Sequence, residues 1–396
     1  MKLKLSWRRL IKIFILAFTF LGLFKPDSLE YLNLKWLDSF LMLWDVFVLI
    51  YLLLALAIGK YKMTGTTICV IAIYISYAFS TIRMSQDYMT FIKTAGPITA
   101  ICLLVDYSMQ NNPEEYLDAI VFLLNTLFTM NFISILLYYP EGMYDLSYIV
   151  GDIYLLGFDN GMIYTLVPLV GYSCIRSCKK RGRIISFDSI YSISIMLASV
   201  FYVRAGSGMV QALLFVFMVM LITGSSGRKI INPVVAFGTF YLATYLIVVR
   251  RITSHLQPLF DVLGKDSTFS GRTYMWNNAL LSINEHFTLG IGATARTVLG
   301  KNGLLYPHPH CLLLDFLYRG GIVMFALFTV LLIRFSSVYY KKSGVVKSLI
   351  LISVFAILIG EVVNSAQYKV FFWSMFPLIE YTEMLENKKI ERQGLQ

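Results

Sequence analysis

The residues with the most chemistry to offer are concentrated between positions 250 and 310. All four histidines of the 396-residue chain lie in this segment, as His255, His286, His308 and His310. The segment also contains the basic residues Arg250, Arg251, Lys265, Arg272, Arg296 and Lys301. Guanidinium and ammonium groups bind phosphate oxygens, and a histidine with an unperturbed pKa of about 6.5 is a ready proton acceptor. The pattern favours a cationic site for a phosphate-bearing substrate, and the alternative is an ordinary solvated loop.

Two of these histidines, His308 and His310, stand directly before an apolar segment that contains Asp315 and Arg319. An H-x-H pair can bind a metal, but no third ligand is evident, so the sequence predicts no metal site. Asp315 and Arg319 are four residues apart, a spacing that brings two side chains together on a helix. Mutual neutralisation is the favoured interpretation of this pair, and a catalytic role is the alternative.

Arg272 opens the stretch RTYMWNNALLSINEHF, which has the pattern of an amphipathic helix. The apolar residues that share one face of this helix are Trp276, Leu280, Ile283 and Phe287. Ser270 is the predicted N-cap. Such a helix either lies at the membrane interface, with Trp276 at headgroup level, or packs against a helical bundle. In both positions Arg272 is near a helix N-terminus, where backbone N–H groups also favour an anion.

Arg204 lies in the stretch VRAGSG, a short connection between two apolar segments. It is either an interfacial residue whose long side chain reaches water or a second cation directed at the same site. Asp45, Lys93 and Glu361 are charged residues within apolar segments, and each is a candidate for lining a polar cavity.

The elements that position these residues are predicted to be transmembrane helices. The chain is 57% hydrophobic and only 14% charged, against roughly 25% charged in ordinary soluble domains. About twelve apolar segments approach the roughly 20 residues that cross a bilayer as a helix. They lie near 10–24, 40–58, 64–82, 90–106, 117–138, 161–176, 187–203, 207–224, 231–249, 311–335, 347–363 and 369–383. The predicted fold is an all-α, polytopic transmembrane helical bundle with a long external loop that contains short amphipathic helices.

The distribution of positive charge predicts the orientation of the chain. Most of the 34 Lys and Arg residues fall at the two termini and in alternate connections between spans. Because such charge marks the cytoplasmic side, both termini are predicted to be cytoplasmic. Three regions follow: an N-terminal bundle of about nine spans over 1–249, an external catalytic loop over 250–310, and C-terminal spans with a cytoplasmic tail over 311–396. This topology accounts for the net charge of +11 without a nucleic-acid partner.

Three stretches, in chain order, resemble the O-antigen ligase and polysaccharide polymerase family of integral membrane glycosyltransferases. They are VRAGSG, SGRTYMW followed by LGIG, and HPHCLLLDFLYRGGI, and they lie within residues 200–335. Spacing to Leu314 and to the Gly320–Gly321 pair places the family histidine at His310, with His308 as the alternative. Two positions depart from the family pattern, because Cys311 stands where Asn is usual and Arg319 where an acidic residue often precedes the glycine.

The resemblance implies glycan transfer from a polyprenyl diphosphate to an acceptor hydroxyl at the outer face of the bacterial cytoplasmic membrane. It also implies a fold similar to other polyprenyl-phosphate-using membrane glycosyltransferases. His310 would act as the base or orienting group, and Arg272 and Arg204 would stabilise the leaving diphosphate. Further candidates for binding the diphosphate or the glycan are Arg250, Arg251, His308, Trp276 and Arg296.

Single displacement with inversion is expected, because no retaining carboxylate pair is identifiable. Neither a metal nor another cofactor is required, since arginines can stabilise a diphosphate.

Three functions compete on the sequence. A polymerase that joins lipid-linked repeat units is preferred, and a ligase that transfers finished glycan to a lipid or protein acceptor uses the same chemistry. A flippase for the lipid-linked unit is the alternative from another class, although it would carry its charges along a central cavity. The expected partners are the lipid bilayer, a glycan donor and a glycan acceptor, with a chain-length regulator and a flippase as candidate protein partners.

Overall fold

The fold is known from a computed structural model that describes residues 7–26, 28–31, 35–144, 152–252, 271–294, 298–301, 303–365 and 367–386. In chain order the helices are α1 (Trp7–Phe24), α2 (Ser28–Tyr31), α3 (Lys35–Ala57), α4 (Gly65–Arg83), α5 (Tyr88–Asn111), α6 (Pro113–Tyr138), α7 (Ile163–Arg181), α8 (Phe187–Tyr202), α9 (Gly206–Thr223), α10 (Ser225–Ile230), α11 (Pro233–Thr244), α12 (Arg272–Glu285), α13 (Leu312–Lys341), α14 (Val346–Glu361), α15 (Val370–Leu378) and α16 (Thr382–Leu385). A π-helical turn over Tyr245–Val249 extends α11, and a 3₁₀ turn over Ile379–Tyr381 joins α15 to α16.

Two short antiparallel hairpins accompany the helices. One pairs β1 (Ile153–Tyr154) with β2 (Gly157–Phe158), and the other pairs β3 (Val298–Leu299) with β4 (Leu305–Tyr306). The predicted all-α class is confirmed, since these strands have only two residues each.

Each predicted apolar segment is helical, but the count of about twelve spans is not supported. Among the described helices, six are long and apolar enough to cross a membrane, and they lie in α3, α4, α5, α6, α9 and α13. The other helices are too short or too charged to meet this requirement. The 18 residues of α1 include Arg8, Arg9 and Lys12, and the last turn of α7 is basic. With 16 residues, α14 is about 24 Å long, which is less than the roughly 30 Å of a hydrocarbon core. The chain is an all-α, multi-pass membrane protein.

The short helices α14 and α15 form the inside of the bundle. Every side chain of α15 is buried, as are nearly all those of α14. At their centre the Trp373 ring packs 5.5 Å from Tyr74 and 5.7 Å from Phe376. The outer helix α3 instead exposes large apolar side chains such as Phe47 and Leu54, which suits contact with lipid. Because other helices surround α14 and α15, these two need not match the bilayer thickness.

Ion pairs gather the basic residues at one end of the bundle. Arg9 of α1 donates to Glu114 of α6 at 2.9 Å. Arg176 of α7 donates to Asp118 and Asp188 at 2.7 and 2.6 Å. The starts of α1, α6 and α8 therefore meet the end of α7, so α7 runs in the direction opposite to these three helices.

The opposite end of the bundle carries the connections that contain the predicted site residues. There the β1–β2 hairpin, the α8–α9 turn, the segment before α13 and the α14–α15 link (residues 362–369) lie together. Ser207 after the α8–α9 turn donates to Asn160 at 3.4 Å, and Arg272 donates to the Val363 carbonyl at 2.5 Å. The predicted site thus lies at the end away from the ion pairs.

A glycine joint holds the segment between α12 and α13 in place. Helix α13 is interrupted at Gly321, whose φ of 64° and ψ of −163° are not helical. The backbone N–H groups of Ile291 and Gly292 donate to the freed carbonyls of Tyr318 and Arg319, both at 2.9 Å. The Ile322 N–H donates in return to the Phe287 carbonyl at 2.8 Å. The LGIG and RGG stretches, separate in the sequence, are thus one structural joint.

Candidate functional site

His308 and His310 form a stacked pair immediately before α13. Their ring centres are 4.3 Å apart, and the backbone N–H of His310 donates to Nδ1 of His308 at 3.2 Å. His310 has a left-handed backbone, with φ of 51°. His308 is buried and His310 is half-buried. The pair is therefore held in a fixed geometry rather than displayed on a free loop.

Asn364 fixes the tautomer of His310. Its Oδ1 lies 3.4 Å from His310 Nδ1 and also accepts the backbone N–H of Ser365 at 3.0 Å. The contact with Ser365 identifies this atom as the amide oxygen, which is only an acceptor. The imidazole must therefore be the donor, so Nδ1 carries the hydrogen in this contact. The second ring nitrogen, Nε2, is left with a lone pair that can accept a proton.

Both histidines are neutral at neutral pH. Burial lowers the pKa of His308 to about 3, and the positive charges of Arg319, Arg272 and Lys369 act in the same direction. Burial also lowers the pKa of His310 well below its ordinary value, with further contributions from His308 and Arg272. A neutral imidazole is the form that can accept a proton from a hydroxyl.

Arg272 is the first residue of α12 and belongs to the same site. Its guanidinium donates to the Val363 carbonyl at 2.5 Å and lies close enough to both histidines to lower the pKa of each. Burial lowers the pKa of Arg272 itself, while Tyr164 and Asp159 act in the opposite direction. An arginine stays protonated under these conditions, so the group remains a cation beside two neutral bases.

The N-cap of α12 differs from the prediction. The helix packs against the bundle, which is one of the two predicted positions. Gly271, with φ of 83°, is the N-cap in place of Ser270, which lies outside the described residues. Trp276 and Ile283 are buried against the bundle, but Phe287 is 53% exposed. Trp276 is completely buried rather than at headgroup level, since α12 packs against α13 and β3.

Of the remaining predicted cations, the three that the structure describes are exposed. Arg204 is exposed in the turn between α8 and α9, with φ of 53°. Arg250 is exposed after α11, and Arg251 is exposed and donates to Asn277 on the outer face of α12. Arg296 lies outside the described residues, as do His255 and Lys265. The structure therefore brings Arg272, His308 and His310 together, and the roles predicted for these and for the other residues stay predictions.

Asp315 and Arg319 form an ion pair, as the neutralisation hypothesis predicted. The two side chains meet at 2.8 Å within α13. Arg319 also donates to the Tyr77 hydroxyl at 2.9 Å and to the Pro307 carbonyl. Because Pro307 directly precedes His308, this buried cation anchors the loop that carries both histidines.

The matched family model coincides with this region. Residues 191–329 match the model described as O-antigen ligase, which is about a third of the chain. This part of the chain is similar to the O-antigen ligase family. The match confirms the resemblance found from the motifs, and it contains Arg204, Arg272, His308 and His310. No curated protein and no solved structure matches the chain.

The link of residues 362–369 completes the site from outside the O-antigen ligase segment. It supplies Val363 to Arg272, Asn364 to His310, and Tyr368, whose ring centre is 6.0 Å from that of His308. Sequence reasoning did not assign a role to this link. Its polar stretch NSAQYK between two apolar segments was the available signal, since the charge pattern already placed it on the same side as residues 250–310.

Proposed function

We propose that this protein transfers a glycan from a polyprenyl diphosphate lipid to an acceptor hydroxyl. The observation that carries the proposal is the placement of Arg272 beside two neutral histidines at one end of the helical bundle. A diphosphate leaving group needs a cation, and an attacking hydroxyl needs a proton acceptor. The match of residues 191–329 to the O-antigen ligase family model supports the same chemistry.

In the proposed reaction, Nε2 of His310 accepts the proton of the acceptor hydroxyl. The hydroxyl oxygen forms a bond to the anomeric carbon of the donor, and the bond from that carbon to the diphosphate oxygen breaks. The electron pair leaves with the polyprenyl diphosphate, whose negative charge Arg272 stabilises. Asn364 holds the histidine ring in the orientation that presents Nε2. A single displacement of this kind inverts the configuration of the sugar.

The donor itself is expected to strengthen the base. Burial, His308 and the charge of Arg272 lower the pKa of His310. A bound diphosphate brings negative charge, which favours a protonated imidazole and raises that pKa toward the working range. The site is therefore expected to be an effective base only with the lipid donor in place.

The site is proposed to face away from the cytoplasm. Arg9 and Arg176, with most of their basic neighbours, lie at the opposite end of the bundle. Positive charge marks the cytoplasmic side, so the end with the histidines would face outward. Donor glycans carried on a polyprenyl diphosphate in the outer half of the bacterial cytoplasmic membrane could then reach it.

Polymerase and ligase activities share this chemistry and differ in the acceptor. The sequence-based preference for a polymerase stays a prediction. The description of the matched family, O-antigen ligase, favours transfer of finished glycan to a separate acceptor.

Replacement of His310 by Ala in the native host tests the proposal, with His286→Ala as the matched control. His286 also lies between 250 and 310, but it sits at the partly exposed end of α12. With equal amounts of each protein in the membrane, glycans are separated by length. Loss of long chains from both lipid-linked and surface pools indicates a polymerase. Long chains retained on the lipid carrier indicate a ligase.

An unchanged ladder in the His310→Ala strain would remove this histidine from the chemistry and contradict the proposal. The flippase alternative is separated by an assay with purified protein in detergent micelles, where no compartments exist. Formation of a new glycosidic product from a lipid-linked donor in micelles requires an enzyme and cannot arise from transport.

A further inference from the structure

Lys369 is a buried cation beside the histidines that neither the motifs nor the matched segment includes. It ends the 362–369 link and is the N-cap of α15. Only 8% of the residue is exposed. Its ammonium nitrogen lies 4.9 Å from the centre of the Tyr368 ring, and its charge contributes to the lowered pKa of His308. Lys369 therefore shares the electrostatic environment of His308 and Arg272.

A small cavity opens in front of this lysine. It has a volume of about 40 Å³ and is lined by Phe24, Thr165, Tyr368, Lys369, Val370 and Phe371. Thr165, Tyr368 and Lys369 are the polar residues of this lining. The rings of Phe24 and Phe371, with centres 5.2 Å apart, make the rest apolar. Such a wall suits a ligand that carries charge next to a hydrocarbon group.

The diphosphate of the proposed donor has this character at its lipid end. One phosphoryl group is attached to the sugar, and the other joins the polyprenyl chain. Arg272 lies with the histidines and is placed for the sugar-side phosphoryl group. Arg204, the second cation expected from the motifs, is exposed. The buried cation on the apolar side of the site is Lys369, because Phe24 and Phe371 line the same cavity.

We propose that Lys369 binds the phosphoryl group attached to the polyprenyl chain, while Phe24 and Phe371 contact the first isoprenyl unit. The inference rests on the proposed use of a polyprenyl diphosphate donor. It makes Lys369 a substrate-binding residue whose partner is the lipid end of the carrier, separate in function from Arg272.

The test measures binding of three glycan-free probes to the purified full-length protein in lipid nanodiscs. The probes are a polyprenyl diphosphate, the matching monophosphate and the uncharged polyprenol. The variants are Lys369→Gln, Lys369→Arg and Arg272→Gln. The control is Lys301→Gln, which changes an exposed lysine in the 250–310 segment. Thermal unfolding shows whether each variant is folded. If the glutamine variant is unstable, Lys369→Arg provides a second variant, which retains the charge.

We expect Lys369→Gln to weaken both the monophosphate and the diphosphate about tenfold or more, since a hydrogen bond to a charged group is lost. Arg272→Gln should weaken only the diphosphate, and neither change should affect polyprenol. Lys369→Arg should retain most of the affinity. Wild-type affinity of Lys369→Gln for both phosphorylated probes would overturn the inference and leave the proposed function intact. If the wild-type protein binds diphosphate no better than polyprenol, the proposed function fails as well.

Discussion

At the scale of single residues, the two histidines of the candidate site have different hydrogen-bond partners. His310 contacts an amide oxygen of Asn364 through Nδ1, which leaves Nε2 as the acceptor. His308 uses its own Nδ1 to accept the backbone N–H of His310. His308 thus stabilises the loop, and in the proposed reaction the Nε2 atom of His310 accepts the proton of the substrate hydroxyl. This difference favours His310 over His308 as the base.

The buried position of His308 predicts a loss of stability in mild acid. Its folded-state pKa of about 3 lies below the unfolded value of about 6.5, so the unfolded chain binds the proton first. The stabilising contribution is complete above pH 6.5 and is lost as the pH falls toward 3. Between pH 6.5 and pH 5.5 we expect a loss of about 1 kcal/mol from this group. Thermal unfolding midpoints of the protein in detergent at the two pH values measure it.

His308→Gln should remove this part of the acid sensitivity, although it lowers stability at pH 7. His286→Gln is the control and should retain the acid sensitivity, since His286 lies at the partly exposed end of α12. Equal acid sensitivity in the His308→Gln protein and the wild type would show that His308 does not bind the proton on unfolding.

At the scale of elements, the joint between the LGIG segment and α13 determines where the histidine loop lies. Gly321 is required there by its φ of 64° and by crowding, because an added Cβ would lie 2.3 Å from the Thr288 carbonyl oxygen. Gly290 has φ of 65° and a similar approach to the Arg319 carbonyl. The close approach lets backbone groups of the two segments pair where the helix is interrupted.

Gly321→Ala is therefore expected to destabilise the protein and to abolish glycan transfer. The left-handed backbone alone costs about 1–3 kcal/mol, and the contact with Thr288 adds to it. The control is Gly238→Ala within α11, where an added Cβ meets nothing within 4 Å. That change should be neutral or slightly stabilising, because alanine favours helix over glycine. The readouts are the unfolding midpoint in detergent and the glycan ladder; equal effects of the two changes would contradict the importance of the joint.

The elements were predictable from the sequence where the signal is local. Each apolar segment forms a helix, and the spacing of Asp315 and Arg319 correctly indicates a pair. The N-cap of α12 was wrong by one residue, because Gly271 adopts a left-handed conformation that no propensity for Ser270 reveals. The predicted count of about twelve spans is not supported, since apolar segments buried inside the bundle have the same composition as segments that face lipid.

The site was predictable only in part, because some of its contacts join residues that are far apart in the sequence. Arg272, His308 and His310 stand out because they share one polar segment and its motifs. Asn364 contacts His310 across 54 positions of sequence, and Val363 contacts Arg272 across 91. No local pattern encodes contacts of that range. The exposure of Arg204 likewise depends on the packing of α8 and α9, which the turn sequence does not specify.

At the scale of the whole molecule, the ion pairs between helices and the candidate site lie at opposite ends of the bundle. The ion pairs of Arg9 and Arg176 tie the helices together at one end. The histidine pair, Arg272 and the 362–369 link meet at the other end. The buried helices α14 and α15 connect the two, since the link of the site is also the connection between these inner helices. The candidate site therefore adjoins the connection between two buried helices.

This two-ended arrangement predicts which residues a reagent can reach from outside the cell. Leu304 is 52% exposed between β3 and β4, at the histidine end. Lys60 is exposed at the other end, just after α3. If positive charge marks the cytoplasmic side, a membrane-impermeant maleimide should label Leu304→Cys in intact spheroplasts and should label Lys60→Cys only after the membrane is opened. The unmodified chain is a suitable blank, because four of its five cysteines are buried and Cys69 is half-buried. The reverse labelling pattern would place the histidines in the cytoplasm, where a donor presented at the outer face of the membrane could not reach them. The proposed transfer reaction therefore requires Leu304→Cys to be the externally labelled protein.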